Sequence, residues 1–396
     1  MNIRTFLASF LAIFMMTNAA FSQDDLINKI KNNQTDGAAR KFQFSKVFDT
    51  EATSIKDQAS SSTCWSYATL SFLESEIIRM GRPPVDLAEM FVARNQYIDK
   101  AEMYVRLHGG LSYGTGGSAH DILYVYDKYG LLPQDAYTGL NYGTDRNNLG
   151  EMENLITSML KALTKDDSKK LTPVWKKAFS AVVDTYLGEV PKTFTYQGKQ
   201  YTPRTFADQV VNLKTADYVE FSSFTTAPYW QKTLLAIPDN WTFGQVWNVP
   251  MHDLTSIIDY ALSKGYSVAW STDVSEKSFS WKNGVAYIPA KPFEMMNSEE
   301  RAKMFDGPQP EADINDQLRQ QEFDNYQTTD DHGMQITGLY KDQNGKEYYK
   351  VKNSWGVSND NEGYLYVTKK FVQMKTTSML LHKDGVPAEI KKMCKI

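Results

Sequence analysis

The sequence predicts an α+β fold of two lobes, a helical front half meeting a strand-rich back half. Three observations predict it. Apolar residues recur at three- and four-residue steps between Cys64 and Leu187, alternating or β-branched runs dominate after about residue 250, and no repeat with a period of 20 to 50 residues organises the chain. The size agrees: 396 residues and 45.1 kDa allow two or three structural units, and 42% apolar with 13% aromatic residues can fill a large core. With 43 Lys plus Arg against 47 Asp plus Glu, a pI near 5.8 and no basic block, nucleic acid is excluded as a partner on electrostatic grounds.

Residues 1–22 read as a secretory signal peptide: a basic residue (Arg4), an apolar run from Phe6 to Met16, then Ala20 and Ser22 before the cut. That run is too short to cross a bilayer, which takes about 20 residues, so no membrane span is expected in the mature chain. The residue after the cut is Gln23, not Cys, so there is no thiol to lipidate. The expected location is therefore secreted or periplasmic. Residues 23–56 form an N-terminal arm, either a removable pro-segment or a permanent part of the fold. Only two cysteines follow, Cys64 and Cys394, in a compartment where disulfides form; the sequence leaves open whether they pair.

Residues 57–145 read as a helical lobe. Thr63-Cys64-Trp65 opens a helix carrying Ala68, Leu70, Phe72, Leu73 and Ile77, which Gly81 and Pro83-Pro84 terminate. A second helix is expected from Asp86, with Glu89 completing a capping box. Tyr113 to Ser118 is a glycine-rich loop before a third helix that stops at Gly130. Residues 146–250 read as a mostly helical insertion, from the stripe Met152 to Leu163 and the one behind Thr172-Pro173. Residues 251–396 form a β-rich lobe with a C-terminal arm: one helix ended by Gly265, then strands at Tyr266 to Asp273, Met334 to Tyr340, Glu347 to Asn353 and Gly363 to Thr368, with turn residues from Asp342 to Gly345.

A cysteine nucleophile needs a lowered thiol pKa, a base close in space, and donors aimed at the developing oxyanion. Cys64 opens a helix, where unpaired N–H groups and the dipole favour thiolate. Gln58, six residues earlier, can bring its amide beside the Cys64 N–H. Among the five histidines, His332 begins a strand run and Asn353-Ser354-Trp355-Gly356 follows 21 residues later across a short hairpin. Neighbouring antiparallel strands would set imidazole beside carboxamide, with Trp355 shielding the bond. His108 and His120 lack a second ligand pair at zinc-like spacing, so no metal or other cofactor is expected. Asp331, beside His332, reads as a surface residue, because adjacent strand residues point to opposite faces.

Gln58 through Cys64-Trp65, His332-Gly333-Met334 and Asn353-Ser354-Trp355-Gly356 together resemble the papain superfamily of cysteine peptidases. Tyr129 to Pro133, Tyr186 to Glu189 with Pro191 and Phe194, Asn248-Val249-Pro250 and the strand from Trp270 to Val274 are similar to its bleomycin hydrolase and aminopeptidase C branch. The resemblance implies a papain-like fold, a helical lobe and an antiparallel β-barrel-like lobe, with Cys64 on one side of a cleft and His332 and Asn353 on the other. It implies catalytic roles for Cys64, His332, Asn353 and Gln58, supporting roles for Trp65 and Trp355, and peptide-binding backbone at Gly116 and Gly117. It further implies that the Ile396 carboxylate holds the substrate's amino group, making the enzyme an aminopeptidase, and that the chains form a homo-hexamer. Departures are Ser62 in place of Gly, Gly333 in place of Ala, and the sequence from His382 to Ile396. The alternatives are an endopeptidase with an open cleft and a non-catalytic peptide-binding protein.

Overall fold

The computed structural model describes residues 23–32, 42–165 and 170–396. The expected signal peptide lies outside these residues, as does part of the N-terminal arm. The described residues begin with α1 (Gln23–Asn32) and β1 (Ser45–Asp49), followed by the helices α2 (Cys64–Arg79), α3 (Glu89–Arg106), α4 (Ala119–Tyr129), α5 (Gly150–Lys165) and α6 (Val174–Leu187). A hairpin, β2 (Phe194–Tyr196) and β3 (Lys199–Tyr201), leads through the short α7 (Pro203–Phe206) to β4 (Tyr218–Ser222), β5 (Gln231–Leu234) and β6 (Gln245–Asn248). Then come α8 (Met251–Ser263), β7 (Val268–Thr272), β8 (Phe279–Ser280), β9 (Val285–Ala286), α9 (Ser298–Ala302) and α10 (Asp316–Asp324). The chain closes with β10 (His332–Lys341), β11 (Glu347–Lys352), β12 (Tyr364–Thr368), α11 (Lys369–Lys375), β13 (Thr376–His382) and α12 (Ala388–Cys394).

One sheet runs β5-β6-β4-β13-β7-β10-β11-β12-β9-β8, with β1 also on β10. It is antiparallel except at β4–β6 and β12–β9. The path is open at both ends, so the barrel-like lobe is an open sheet. Each lobe has its own apolar cluster, one around Leu73, Phe91 and Ile122 from the helices, the other around Trp270, Ile336 and Val351 from the sheet. Where α2 crosses β10 the contact is polar. Gln335 donates to Ser75 Oγ at 2.8 Å and to Ser267 Oγ at 3.0 Å, and accepts from Ser71 Oγ at 2.7 Å. Every heavy atom of that buried amide is thereby paired, which is what makes a polar residue tolerable between two cores.

The structure corrects two local expectations. No capping box forms at Asp86: α3 starts at Glu89 and its N-cap is Ala88, because Lys56 draws both carboxylates and Glu74 into one ion-pair cluster. The segment 146–250 is helical mainly to Leu187. Beyond it, the alternation in Tyr218 to Ser222 and Gln245 to Asn248 makes β4 and β6 part of the main sheet, which joins this segment to the β-rich lobe.

Candidate active site

Two segments distant in sequence are laced together to build the site. The loop before α2 docks on the turn after β11: Gln58 N donates to Ser354 O at 2.8 Å and Gly356 N to Lys56 O at 3.1 Å. Ser61 Oγ and Asn147 Nδ2 both donate to Gln58 O, at 2.8 and 3.3 Å, which fixes the loop from its inner side. Cys64 is the first residue of α2 and only 4% exposed. It therefore stands at the positive end of the helix dipole, the environment that favours thiolate. Neither Cys64 nor Cys394 is in a disulfide.

His332 opens β10 and is 3% exposed. Its Nε2 lies 2.7 Å from Asn353 Oδ1, and the same oxygen accepts from Ser354 N at 2.8 Å. Since a carbonyl oxygen only accepts, Nε2 carries the proton, and Nδ1, which makes no hydrogen bond, presents its lone pair. Trp355 covers the pair, with ring centroids 4.6 Å apart, and is itself packed by Trp281 and Phe279. Burial pushes the imidazole pKa down to about 4; the Asn353 hydrogen bond opposes this and the Lys31 charge adds to it.

Ser354 Oγ donates to Gln58 Oε1 at 2.7 Å. The Gln58 amide is thus turned so that Nε2, buried and without a hydrogen-bond partner, remains as a donor. Trp65 Nε1 donates to Thr115 O at 3.0 Å and so ties the glycine loop to α2. Gln96 Nε2 and Lys100 Nζ both donate to Gly116 O, at 3.0 and 2.9 Å. Gly117 has no room for a side chain: a Cβ there would come within 2.8 Å of the Trp65 ring and of Asp121 Oδ2.

Cys64, Trp65, Gly116, Gly117, Asp239, Ser271, Asp330, Asp331, His332 and Gly333 line one recess. The structure thus brings Cys64, His332 and the two glycines together, with Asn353 and Trp355 behind the imidazole and Gln58 held on Ser354. It does not bring Ile396 to them. The Ile396 N–H donates to Lys391 O and its side chain packs on the β-lobe cluster, while Cys394 is buried with Asp253 of α8 acting on it. The chain turns at Lys383–Gly385 into α12, whose Ile390 and Cys394 are buried in the β-lobe cluster. Asp331 is also not a surface residue. It precedes β10, where strand alternation does not yet hold, and it lines the recess with its carboxylate on Thr329 Oγ1 at 2.6 Å.

On another side of Cys64, α1 lies against the loop that carries Gln58. Ser62 N and Oγ donate to Asp24 Oδ1 at 3.3 and 3.4 Å, Ile27 is buried in the β-lobe cluster, and Lys31 Nζ stands 5.9 Å from the Trp355 ring centre and 3.9 Å from Asp57. Ser62 has φ +52°, the left-handed region that favours glycine. Its hydroxyl is used to hold α1. Burial raises the Asp24 pKa to about 6. Elsewhere, His120 bridges Glu220 at 2.8 Å and Asn240 at 3.1 Å, and Glu220 raises its pKa to about 9 against the effect of burial, which makes it a structural cation.

The places of Ser354, Asp239, Asp330 and α1 at the site did not follow from the sequence reading. Ser354 is part of Asn353-Ser354-Trp355-Gly356, and the pair Asp330-Asp331 directly before the histidine was a signal. Nothing local marked Asp239 or the path of α1.

Comparison with known proteins bears on this geometry. A family profile described as Peptidase C1-like family matches residues 95–396. The match begins after Gln58 and Cys64, so the placement of those two rests on the geometry above. An aminopeptidase C of Streptococcus thermophilus is 22% identical over 93% of this chain and 88% of its own length. A mitochondrial cysteine proteinase 1 of Saccharomyces cerevisiae is likewise 22% identical, over 93% of this chain and 82% of its own. Among solved structures, pepw from Lactobacillus rhamnosis HN001 superposes with a TM-score of 0.71 at 17% identity, covering 95% of this chain and 92% of that one.

Proposed function

This chain belongs to the Peptidase C1-like family, and on that premise we propose that it is a cysteine aminopeptidase that releases N-terminal residues from peptides. The observation that carries the reading is the single recess in which Cys64 at a helix N-terminus meets His332, whose tautomer Asn353 sets. His332 Nδ1 takes the Cys64 thiol proton, and the thiolate so formed attacks the carbonyl carbon of the scissile amide, forming the C–S bond. The carbonyl oxygen takes the negative charge, held by Gln58 Nε2 and the Cys64 N–H. His332 Nδ1 delivers a proton to the leaving nitrogen as the C–N bond breaks, leaving a thioester. Water, deprotonated by the same nitrogen, then hydrolyses the thioester and returns the thiol. The relatives named as aminopeptidases C cover the chain nearly end to end, which supports an exopeptidase over an open-cleft endopeptidase.

We also propose export, with residues 1–22 removed as a signal peptide; the support is the sequence pattern alone, and N-terminal sequencing of protein recovered outside the cytoplasm tests it. For the activity, the test is turnover of matched fluorogenic peptides with free and acetylated amino termini, under reducing conditions, with Cys64→Ala as control. Cleavage of the free-amine peptide only, lost in the control, is expected. Cleavage of both would make the enzyme an endopeptidase.

A further inference from the structure

An aminopeptidase must hold the substrate's α-ammonium group, and the geometry limits where. The α-nitrogen is two covalent bonds from the carbonyl carbon that Cys64 attacks, about 2.5 Å away. Its counter-ion must therefore line the recess that contains Cys64. The recess is small, about 260 Å³ with its open mouth. Its carboxylates are Asp239, Asp330 and Asp331. Ile396 is not among them.

The three acids differ. Asp331 accepts from Thr329 Oγ1, and the Asp273 carboxylate acts on it. Asp330 accepts only the Thr377 hydroxyl at 2.6 Å, and the charges acting on it, Asp239, Asp331 and Glu220, are all acidic. Asp239 accepts from Lys100 Nζ through Oδ1 at 2.9 Å, while its Oδ2 lies against Gly116, 2.1 Å from where a Cβ would stand. Its carboxylate thus closes the recess where the glycine loop ends and leaves little length for a longer chain. A second observation marks the place as a ligand site: His332, 97% buried, lines the same recess with an Nδ1 that has no hydrogen-bond partner.

From the aminopeptidase reading, on which this rests, we propose that Asp330, with Asp239 beside it, binds the α-ammonium group of the substrate and sets the one-residue step of cleavage. Side-chain carboxylates on the wall of the recess take the part that the chain terminus was expected to play. The substrate class is then peptides with an unmodified, protonated amino terminus. Burial, reinforced by the neighbouring acids, pushes the Asp330 carboxyl up to about 7, and a bound ammonium would keep it ionised.

The test measures kcat and KM for matched free-amine and acetylated aminoacyl fluorogenic amides of Ala, Leu and Arg on the parent chain, Asp330→Asn, Asp239→Asn, the double variant, Asp330→Glu, and a chain lacking Ile396. A cooperative urea transition with a midpoint close to the parent's reports that each variant is folded. We expect a strong free-amine preference in the parent. Asp330→Asn should lower it roughly tenfold or more, chiefly through KM, with a further loss in the double variant and partial recovery in Asp330→Glu. A preference that survives in the double variant overturns the proposal while leaving the aminopeptidase reading intact, and its loss on removing Ile396 would assign the counter-ion to the terminus. No preference in the parent overturns both.

Discussion

The Ser354 hydroxyl donates to Gln58 Oε1 at 2.7 Å across 296 residues of sequence, and this bond decides which end of the Gln58 amide faces the reacting carbonyl. A buried donor with nothing to bond in the resting enzyme is costly, by about 1–3 kcal/mol. At Gln58 Nε2 it is the mark of a group whose partner forms during the reaction. Gln58→Ala should lower kcat by about 10²–10³. Ser354→Ala leaves the amide free to turn and should cost less, with KM little changed. Steady-state kinetics on both variants distinguishes them, and equal losses would mean that Ser354 acts otherwise than by orienting Gln58.

Asn353 holds Nε2–H of His332 and thereby leaves Nδ1 to carry the proton. Losing the imidazole should cost about 10²–10⁴ in rate. Asn353→Ala keeps the base but frees the tautomer, so its loss should be smaller and accompanied by a shifted acid limb in the pH–rate profile. An unchanged profile would contradict the orienting role.

The His332 pKa, lowered to about 4 by burial, has a consequence for stability. Between about pH 4 and 6.5 the unfolded chain binds more protons at this site than the folded one, so the contribution is present above pH 6.5 and is lost as pH falls through 4. Its ceiling is about 3 kcal/mol. Asp24 and Asp330, raised to about 6 and about 7, act in the opposite sense: their contributions are full below the ordinary aspartate range and fade as pH rises through those values. Urea midpoints from pH 4 to 8 should therefore fall less steeply toward acid in His332→Gln than in the parent. Parallel curves would contradict the buried neutral imidazole.

Helix α1 covers the side of the cleft formed by Ser62, Asp57 and Trp355. Replacing Ile27 with Asp places a charge in the β-lobe cluster and should release the helix without shortening the chain. The rate of Cys64 alkylation by iodoacetamide should rise by roughly tenfold or more, equivalent to about 1.4 kcal/mol of closure. An unchanged rate would show that α1 leaves the thiol accessible.

The catalytic groups were legible because each carries its own local signal. Cys64 opens an apolar helix, and His332 and Asn353 flank a hairpin whose turn residues fix the pairing seen between β10 and β11. What escaped the sequence depends on long-range pairing. β13 pairs with β7 and β4 although 104 and 164 residues separate Thr376 from Thr272 and His382 from Tyr218 in the chain. No short window reports such a partner. Asp239 reaches the recess only because Lys100, from the middle of α3, holds it there. The C-terminal arm was placed by resemblance, and it goes elsewhere because Ile390, Cys394 and Ile396 find an apolar surface on the β lobe.

The proposed chemistry passes through a covalent acyl-enzyme on Cys64. Mixing the reduced enzyme with an activated aminoacyl ester, quenching in acid and mapping the adduct by mass spectrometry tests it directly. One acyl group per chain is expected, on the peptide containing Cys64, that forms slowly or not at all in Gln58→Ala and decays at the rate of turnover. Turnover without any adduct on Cys64, or an adduct confined to Cys394, would contradict it.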